Sequence, residues 1–244
     1  MRAIGRGPTV VVVHGGPGFD HRYLMPAFSD LAERRRLVFY DQFGCGRSDG
    51  GERAFEPETL YEQFRAVCED CAPVGVLAHS WGAFIALASG ATFDEGVFVT
   101  PMPLDAAGFG ACQERLLQRI PTETFARFEA LAAAGDAEAI VRLMLPFYLA
   151  PQSTADVHDL SFDPVAFNRV VANLGAFDIT ARASAAANID VALGAADFIA
   201  ADHIGRLAAT ARRVEVMDGT GHFPFYEDPE GFAAILARAF PARS

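Results

Sequence analysis

The chain has 244 residues, 51% hydrophobic and 21% charged, with a formal net charge of −11. That length and apolar content suit a large folded domain with a substantial core, and the acidic balance speaks against nucleic acid or an anionic membrane as partner. All 20 Lys/Arg positions are arginine, which excludes a Schiff-base lysine, a pyridoxal-anchoring lysine and a P-loop phosphate lysine.

The first residues, Met1–Pro8, lack the apolar core of a secretory signal. No stretch reaches the roughly 18–20 apolar residues needed to cross a bilayer, so a cytoplasmic protein is expected. Thr9–Val13 is a β-branched run and reads as a fully buried parallel strand. It ends in His14-Gly15-Gly16-Pro17-Gly18, where glycine and proline turn the backbone sharply and leave an amide N–H facing the space above the sheet. The spacing predicts a helix over His21–Arg34, with Arg34-Arg35-Arg36 as its solvated C-terminus, favoured by the helix dipole. Leu37–Tyr40 is a second buried strand. The glycine-rich loop Asp41–Gly50 lacks the lysine of a phosphate cradle and reads as structural, with Asp41 and Arg47 bonding the backbone. Glu56–Cys71 is a predicted helix with Pro57 in its first turn. Cys68-x-x-Cys71 at its end has no second Cys or His pair at zinc spacing, so the four cysteines read as reduced structural thiols.

Val74–Leu77 and Ala83–Ala88 are apolar runs that read as a buried strand and a buried helix, and Ser80 lies at the turn between them. Such a tight turn needs small side chains two residues either side of the serine, and Ala78 and Gly82 supply them. The pattern is a nucleophile elbow, small-x-Ser-x-Gly; the plainer alternative is a serine that caps the helix.

Gly96–Thr100 is the next strand. From Met102 to Ala187 the strand–helix rhythm stops, and helices are predicted over Ala111–Ile120, Thr122–Ala134, Asp136–Leu149 and Asp163–Asn173. A helical block inserted between strands is expected to form a lid, which divides the chain into a core of residues 1–101 and 188–244 and a lid of residues 102–187. The sheet resumes at Ile189–Leu193, followed by the loop Gly194–Asp197, a helix over Ala200–Ala211, the strand Arg213–Met217, the loop Asp218–Pro224 and a helix over Glu227–Phe240. Alternating strands and helices imply an α/β fold, a mostly parallel sheet flanked by helices, with the site at the strand C-terminal ends.

Ser80, Asp197 and His222 each follow a predicted strand, in the order Ser…Asp…His. The chemistry assigns Ser80 as nucleophile, His222 as the base that takes its proton, and Asp197 as the group that orients His222. Asp190 and Asp202 compete for the third role.

The stretches H-G-G-P-G, D-Q-F-G-C-G-R-S, A-H-S-W-G and G-H-F-P-F-Y-E-D-P-E resemble the α/β-hydrolase fold and, within it, the proline iminopeptidases, from Thr9 to Phe240. The resemblance implies the triad Ser80, His222 and Asp197, an oxyanion hole from the N–H groups of Gly16 and Trp81, and chemistry that needs no cofactor or metal. It also implies a small-molecule or short-peptide substrate; no feature specifies an oligomeric state. The sequence departs from the family pattern at Phe43, where the first arginine of D-Q-R-G-x-G-R-S stands, and at Ala78-His79, where the pattern has two glycines. The usual leading antiparallel strands are absent or reduced. The carboxylates that hold a substrate's free amino group have no identifiable counterpart, and Phe198 follows Asp197. An ester or lactone hydrolase with the same triad is therefore the alternative enzyme, and a ligand-sequestering protein the alternative of another class. Serine at the elbow speaks against dehalogenase chemistry, and no G-x-G-x-x-G follows the first strand to support hydride transfer.

Overall fold

The computed structural model describes residues 1–242. The chain forms β1 (Arg2–Ile4), β2 (Thr9–Val13), α1 (Leu24–Ala27), β3 (Arg36–Phe39), α2 (Pro57–Cys71), β4 (Gly75–His79), α3 (Trp81–Ala88) and β5 (Glu95–Val99). Four helices follow: α4 (Ala106–Leu117), α5 (Thr122–Ala134), α6 (Ala137–Met144) and α7 (Pro164–Leu174). The chain then closes with β6 (Ile189–Gly194), α8 (Gly205–Thr210), β7 (Arg213–Met217), α9 (Pro224–Glu227) and α10 (Pro229–Ala239). The strands make one seven-stranded sheet in the order β1-β3-β2-β4-β5-β6-β7, parallel except for β1.

Side chains alternate across a strand, and that alternation divides the core into two layers. Val11, Val13, Val76, Ala78, Phe98, Ile189 and Val191 face the cluster that includes α2 and α3. Val10, Val12, Leu77, Val97, Val99 and Ala192 face the cluster that includes α10. Burial on both faces explains why these strands are apolar runs rather than alternating ones.

Several boundaries differ from the sequence reading. The predicted helix over His21–Arg34 is a single turn, α1, and a 3-10 segment, Ser29–Glu33, because Phe28 leaves helical geometry at φ −116°, ψ 11°. The helix predicted to Leu149 ends at Met144; Pro146 has no N–H to continue the ladder, and Leu145–Phe147 tightens into a 3-10 turn. The helix predicted over Glu227–Phe240 is α10, Pro229–Ala239; Asp228 (φ −140°) separates it from the short α9 and caps it by accepting from Gly231 N–H. Only Gly205–Thr210 of the helix predicted over Ala200–Ala211 is α-helical. Ahead of β2 the described residues hold one three-residue strand, β1, antiparallel to β3.

The arginine run also needs correction. Arg35 is not solvated: it is 1% exposed, its Nε and Nη2 donate to the Glu95 carboxylate at 3.0 and 3.3 Å, and Nη2 donates to Pro241 C=O at 2.7 Å. This buried pair ties the chain between α1 and β3 to the first residue of β5 and to the C-terminal segment. The Asp41 loop is structural as expected: its carboxylate accepts the backbone N–H of His21 and of Arg47, with Arg47 contributing main chain rather than guanidinium.

Candidate active site

Because β2, β4, β6 and β7 run parallel, the loops at their C-terminal ends emerge on one edge of the sheet. Those loops carry Gly16, Ser80, Asp197 and His222. Gly16, Ser80, Trp81 and His222 line a common cavity of about 60 Å³.

Ser80 joins β4 to α3 with φ +52° and ψ −118°, a conformation that costs a non-glycine residue roughly 1–3 kcal/mol. The surrounding backbone holds it there: Ser80 N–H donates to Val99 C=O at 2.9 Å, and Ser80 C=O accepts from Ala83 N–H at 3.1 Å. Its side chain makes no capping bond to α3, so the hydroxyl is not engaged as a helix cap. A Cβ on Gly82 would lie 2.6 Å from the carbonyl oxygens of Val13 and His14; α3 approaches β2 so closely that only glycine fits. Gly16 has φ +125°, which glycine alone adopts readily. The N–H groups of Gly16 and Trp81 make no hydrogen bond among the described residues.

His222 is 2% exposed and Asp197 1%. His222 Nδ1 lies 3.0 and 3.2 Å from the two Asp197 oxygens, and the ring stacks on Phe198 with centroids 4.7 Å apart. Asp190 instead sits in β6 with Arg212 Nε donating to it at 2.7 Å, and Asp202 is exposed. The aspartate beside His222 is Asp197.

Sequence reasoning missed the groups that fix these loops relative to one another. Gly15 N–H donates to Tyr23 Oη at 2.8 Å, Tyr23 O–H pairs with His79 Nδ1 at 2.7 Å, and His79 Nε2 lies 2.9 Å from His222 C=O. One polarity satisfies every member: Tyr23 donates to Nδ1 and His79 Nε2–H donates to the carbonyl. The chain of bonds joins the Gly15–Gly16 turn, the elbow and the His222 loop. Glu227 clamps the same loop from the other side, its carboxylate accepting from Gly221 N–H and Ala150 N–H at 2.7 Å and from Phe223 N–H at 3.3 Å. The only sequence signal for these roles was proximity: His79 precedes Ser80, and Glu227 sits in the motif that contains His222. His14 Nδ1 meets Gly15 C=O at 2.8 Å while its Nε2 accepts Gln42 N–H at 3.0 Å, and Gln42 Oε1 accepts Trp81 Nε1–H at 2.9 Å.

Burial lowers the pKa of His14, and burial together with the neighbouring His222 lowers that of His79 well below the ordinary value. Both rings therefore stay neutral in the folded protein at pH values where an unfolded histidine takes up a proton. The unfolded state then binds more protons than the native one, so stability is present above about pH 6.5 and is lost as pH falls below it. Each histidine contributes up to about 1.4 kcal/mol per pH unit to that slope. Asp41, held below the usual carboxylate range by His21 and Arg47 against the opposing effect of its burial, loses its contribution only in stronger acid. We expect urea-unfolding free energies to fall steadily from pH 6.5 to 5.0; a flat profile over that window would count against neutral His14 and His79.

Cys112 lines the cavity beside Ser80, but burial pushes its thiol up to about 12, so it presents a neutral wall rather than a competing thiolate. All four cysteines are free. Among the described residues, Asp20, His21 and Asp41 form the single cluster whose ligand atoms lie close enough to share a metal ion. Their polar atoms already have partners within the protein: His21 Nδ1 is 2.6 Å from Asp41, and Arg22 Nη2 donates to Asp20 at 2.7 Å. None of the three lines the Ser80 cavity. No helix among the described residues is long and apolar enough to cross a membrane.

Comparison with known proteins identifies the family of the fold. Residues 10–235 match the alpha/beta hydrolase family. A proline iminopeptidase of Heyndrickxia coagulans is 27% identical, across 95% of this chain and 90% of its own. The crystal structure of a proline iminopeptidase-related protein from Thermus thermophilus superposes with a TM-score of 0.74 at 21% identity, covering 98% of this chain and 92% of that one. An E-2-(acetamidomethylene)succinate hydrolase superposes with a TM-score of 0.68 at 17% identity, over 99% and 94%. The chain belongs to the alpha/beta hydrolase family.

Proposed function

We propose that this alpha/beta hydrolase is a serine hydrolase of the proline-iminopeptidase-like type that cleaves an acyl bond, amide or ester, of a small substrate without a cofactor. The observation that carries the reading is the convergence on one cavity of Ser80, whose hydroxyl is not used as a cap, and His222, whose Nδ1 is 3.0 Å from Asp197. In this reading Ser80 Oγ attacks the carbonyl carbon while His222 Nε2 takes its proton. Asp197 keeps the proton on Nδ1 and stabilises the imidazolium. The N–H groups of Gly16 and Trp81 receive the oxyanion, each such donor contributing about 3–4 kcal/mol to the transition state. His222 then protonates the leaving group, and a water molecule repeats the sequence on the acyl-enzyme. Residues 102–187 act as the lid that keeps bulk water from this exchange.

Within that class, the lining favours an uncharged substrate over a free amine. The cavity beside Ser80 includes Phe19, Phe109, Phe162, Phe167 and Phe198 and no aspartate or glutamate. A protonated amino group brought there loses its hydration with no carboxylate to replace it. A site built to bond such a group rejects an analogue lacking it by roughly 10⁴-fold or more. Here N-acylation of an aminoacyl substrate is expected to lower kcat/KM by less than about 100-fold, measured as initial rates on a proline β-naphthylamide and its N-acetyl derivative beside p-nitrophenyl esters. A loss near 10⁴ with good turnover of the free proline amide would restore amine recognition and discard the uncharged-substrate reading.

A further inference from the structure

Beside the catalytic cavity lies a second and larger one, of about 230 Å³, among α4, α5, α6 and α7. Phe19, Gln113, Tyr148, Phe162 and Phe167 line both, so the two spaces are separated by shared side chains rather than by a layer of structure. The second cavity is apolar: Ile120, Phe128, Ile140, Val141 and Met144 form its walls, and it has no charged side chain in its lining. At its rim Leu117 and Phe125 remain 50% and 37% exposed, an arrangement that a lid packed only for its own stability would tend to close. An apolar space of this kind gains nothing from water, and a smaller cavity of about 150 Å³ is known to admit benzene.

We infer that this second cavity seats one apolar arm of the substrate, an alkyl chain or aryl group of about eight carbons, while the carbonyl of an uncharged ester stands over Ser80. The inference rests on the serine-hydrolase reading and deepens it. The seat adjoins the reacting centre: only the five shared side chains stand between it and the cavity that holds Ser80 and His222, so an arm reaches it when they turn aside. The arm also has a defined chemistry: no group in the lining would pair a charge, so an ammonium or a carboxylate placed there would be stranded. Whether the arm belongs to the acyl or the alcohol half decides which series of esters reports it.

The test is a pair of homologous series, p-nitrophenyl esters from acetate to dodecanoate and alkyl acetates from ethyl to dodecyl. In one of them kcat/KM should rise by up to about 4-fold per methylene and level off or fall beyond about eight carbons. Growth in the p-nitrophenyl series places the acyl half in the cavity, and growth in the acetates places the alcohol half there. Val141→Trp, which fills the cavity, should lower the ratio of C8 to C2 rates at least about 10-fold, the effect of one to two lost methylenes in a pocket. Phe128→Ala should move the optimum to longer chains. Stoichiometric labelling of Ser80 by a fluorophosphonate verifies that each variant is folded. Two outcomes overturn the inference while leaving the serine hydrolase intact: both series flat in a wild type that is labelled and turns over acetate, or an unchanged C8 preference in a labelled Val141→Trp protein. Absence of both labelling and ester turnover would remove the underlying reading, and the inference with it.

Discussion

Ser80→Ala is expected to lower kcat by roughly 10⁶-fold while leaving about 10³-fold catalysis over water from the oxyanion donors and substrate binding. The size follows from the role: without Oγ no acyl-enzyme forms, and His222 can only assist direct attack by water. The fold should survive, because the hydroxyl caps nothing and the positions of the elbow atoms are set by main-chain bonds to Val99 and Ala83. Deleting this one small polar atom should therefore move stability by less than about 1 kcal/mol, a shift of no more than about 4 °C in Tm for a chain of this size. Steady-state rates on the best ester, thermal melts, and fluorophosphonate labelling of both proteins give three independent readings. Near-wild-type turnover in a folded, unlabelled Ser80→Ala protein would take the nucleophile's role away from Ser80, and with it the mechanism proposed above.

The inner strands were legible in the sequence because they are buried on both faces, and such burial writes itself as an uninterrupted apolar run: Thr9–Val13 has the predicted bounds. Ser80 was legible for a related reason. Packing α3 against β2 leaves no room at Gly82, so close approach leaves a mark in the residue types. Helix ends were less visible, since Phe28 ends α1 and Asp228 separates α9 from α10 through local dihedral angles that an apolar periodicity does not encode. The larger omission was polar. Arg35 sits in a run of three arginines that reads as surface, yet Glu95, its partner, is sixty positions away in the chain. Tyr23, His79 and Glu227 become positioning groups only when folding brings three loops to one sheet edge. A hydrogen bond between residues so far apart leaves no periodicity, and nothing in the spacing of those residues announces it.

Asp197→Asn is expected to lower kcat by up to about 10⁴-fold with little change in KM. In the proposed mechanism the buried carboxylate, 3.0 Å from Nδ1, accepts from Nδ1–H, which leaves the lone pair of His222 on Nε2, where the Ser80 proton must go. An asparagine presents an amide of nearly the same shape. Its NH₂ can turn toward Nδ1 as a donor, and the ring then carries its proton on Nε2 and cannot act as a base. The same substitution removes the negative charge that, in the proposed mechanism, stabilises the imidazolium as Ser80 attacks. Both losses fall on the transition state rather than on substrate binding, so kcat and kcat/KM should drop together. Asp190→Asn and Asp202→Asn are the controls, because both residues flank the same loop in sequence. Asp190 is occupied by Arg212 at the opposite end of β6, and Asp202 is exposed; Asp190→Asn should cost stability and Asp202→Asn almost nothing, with kcat within about threefold of wild type for each once folded. If either control lowers kcat more than Asp197→Asn does, the acid has been misassigned. If Asp197→Asn alone collapses kcat while its melting curve and Ser80 geometry persist, the distance between Nδ1 and that carboxylate is the feature that makes His222 a base.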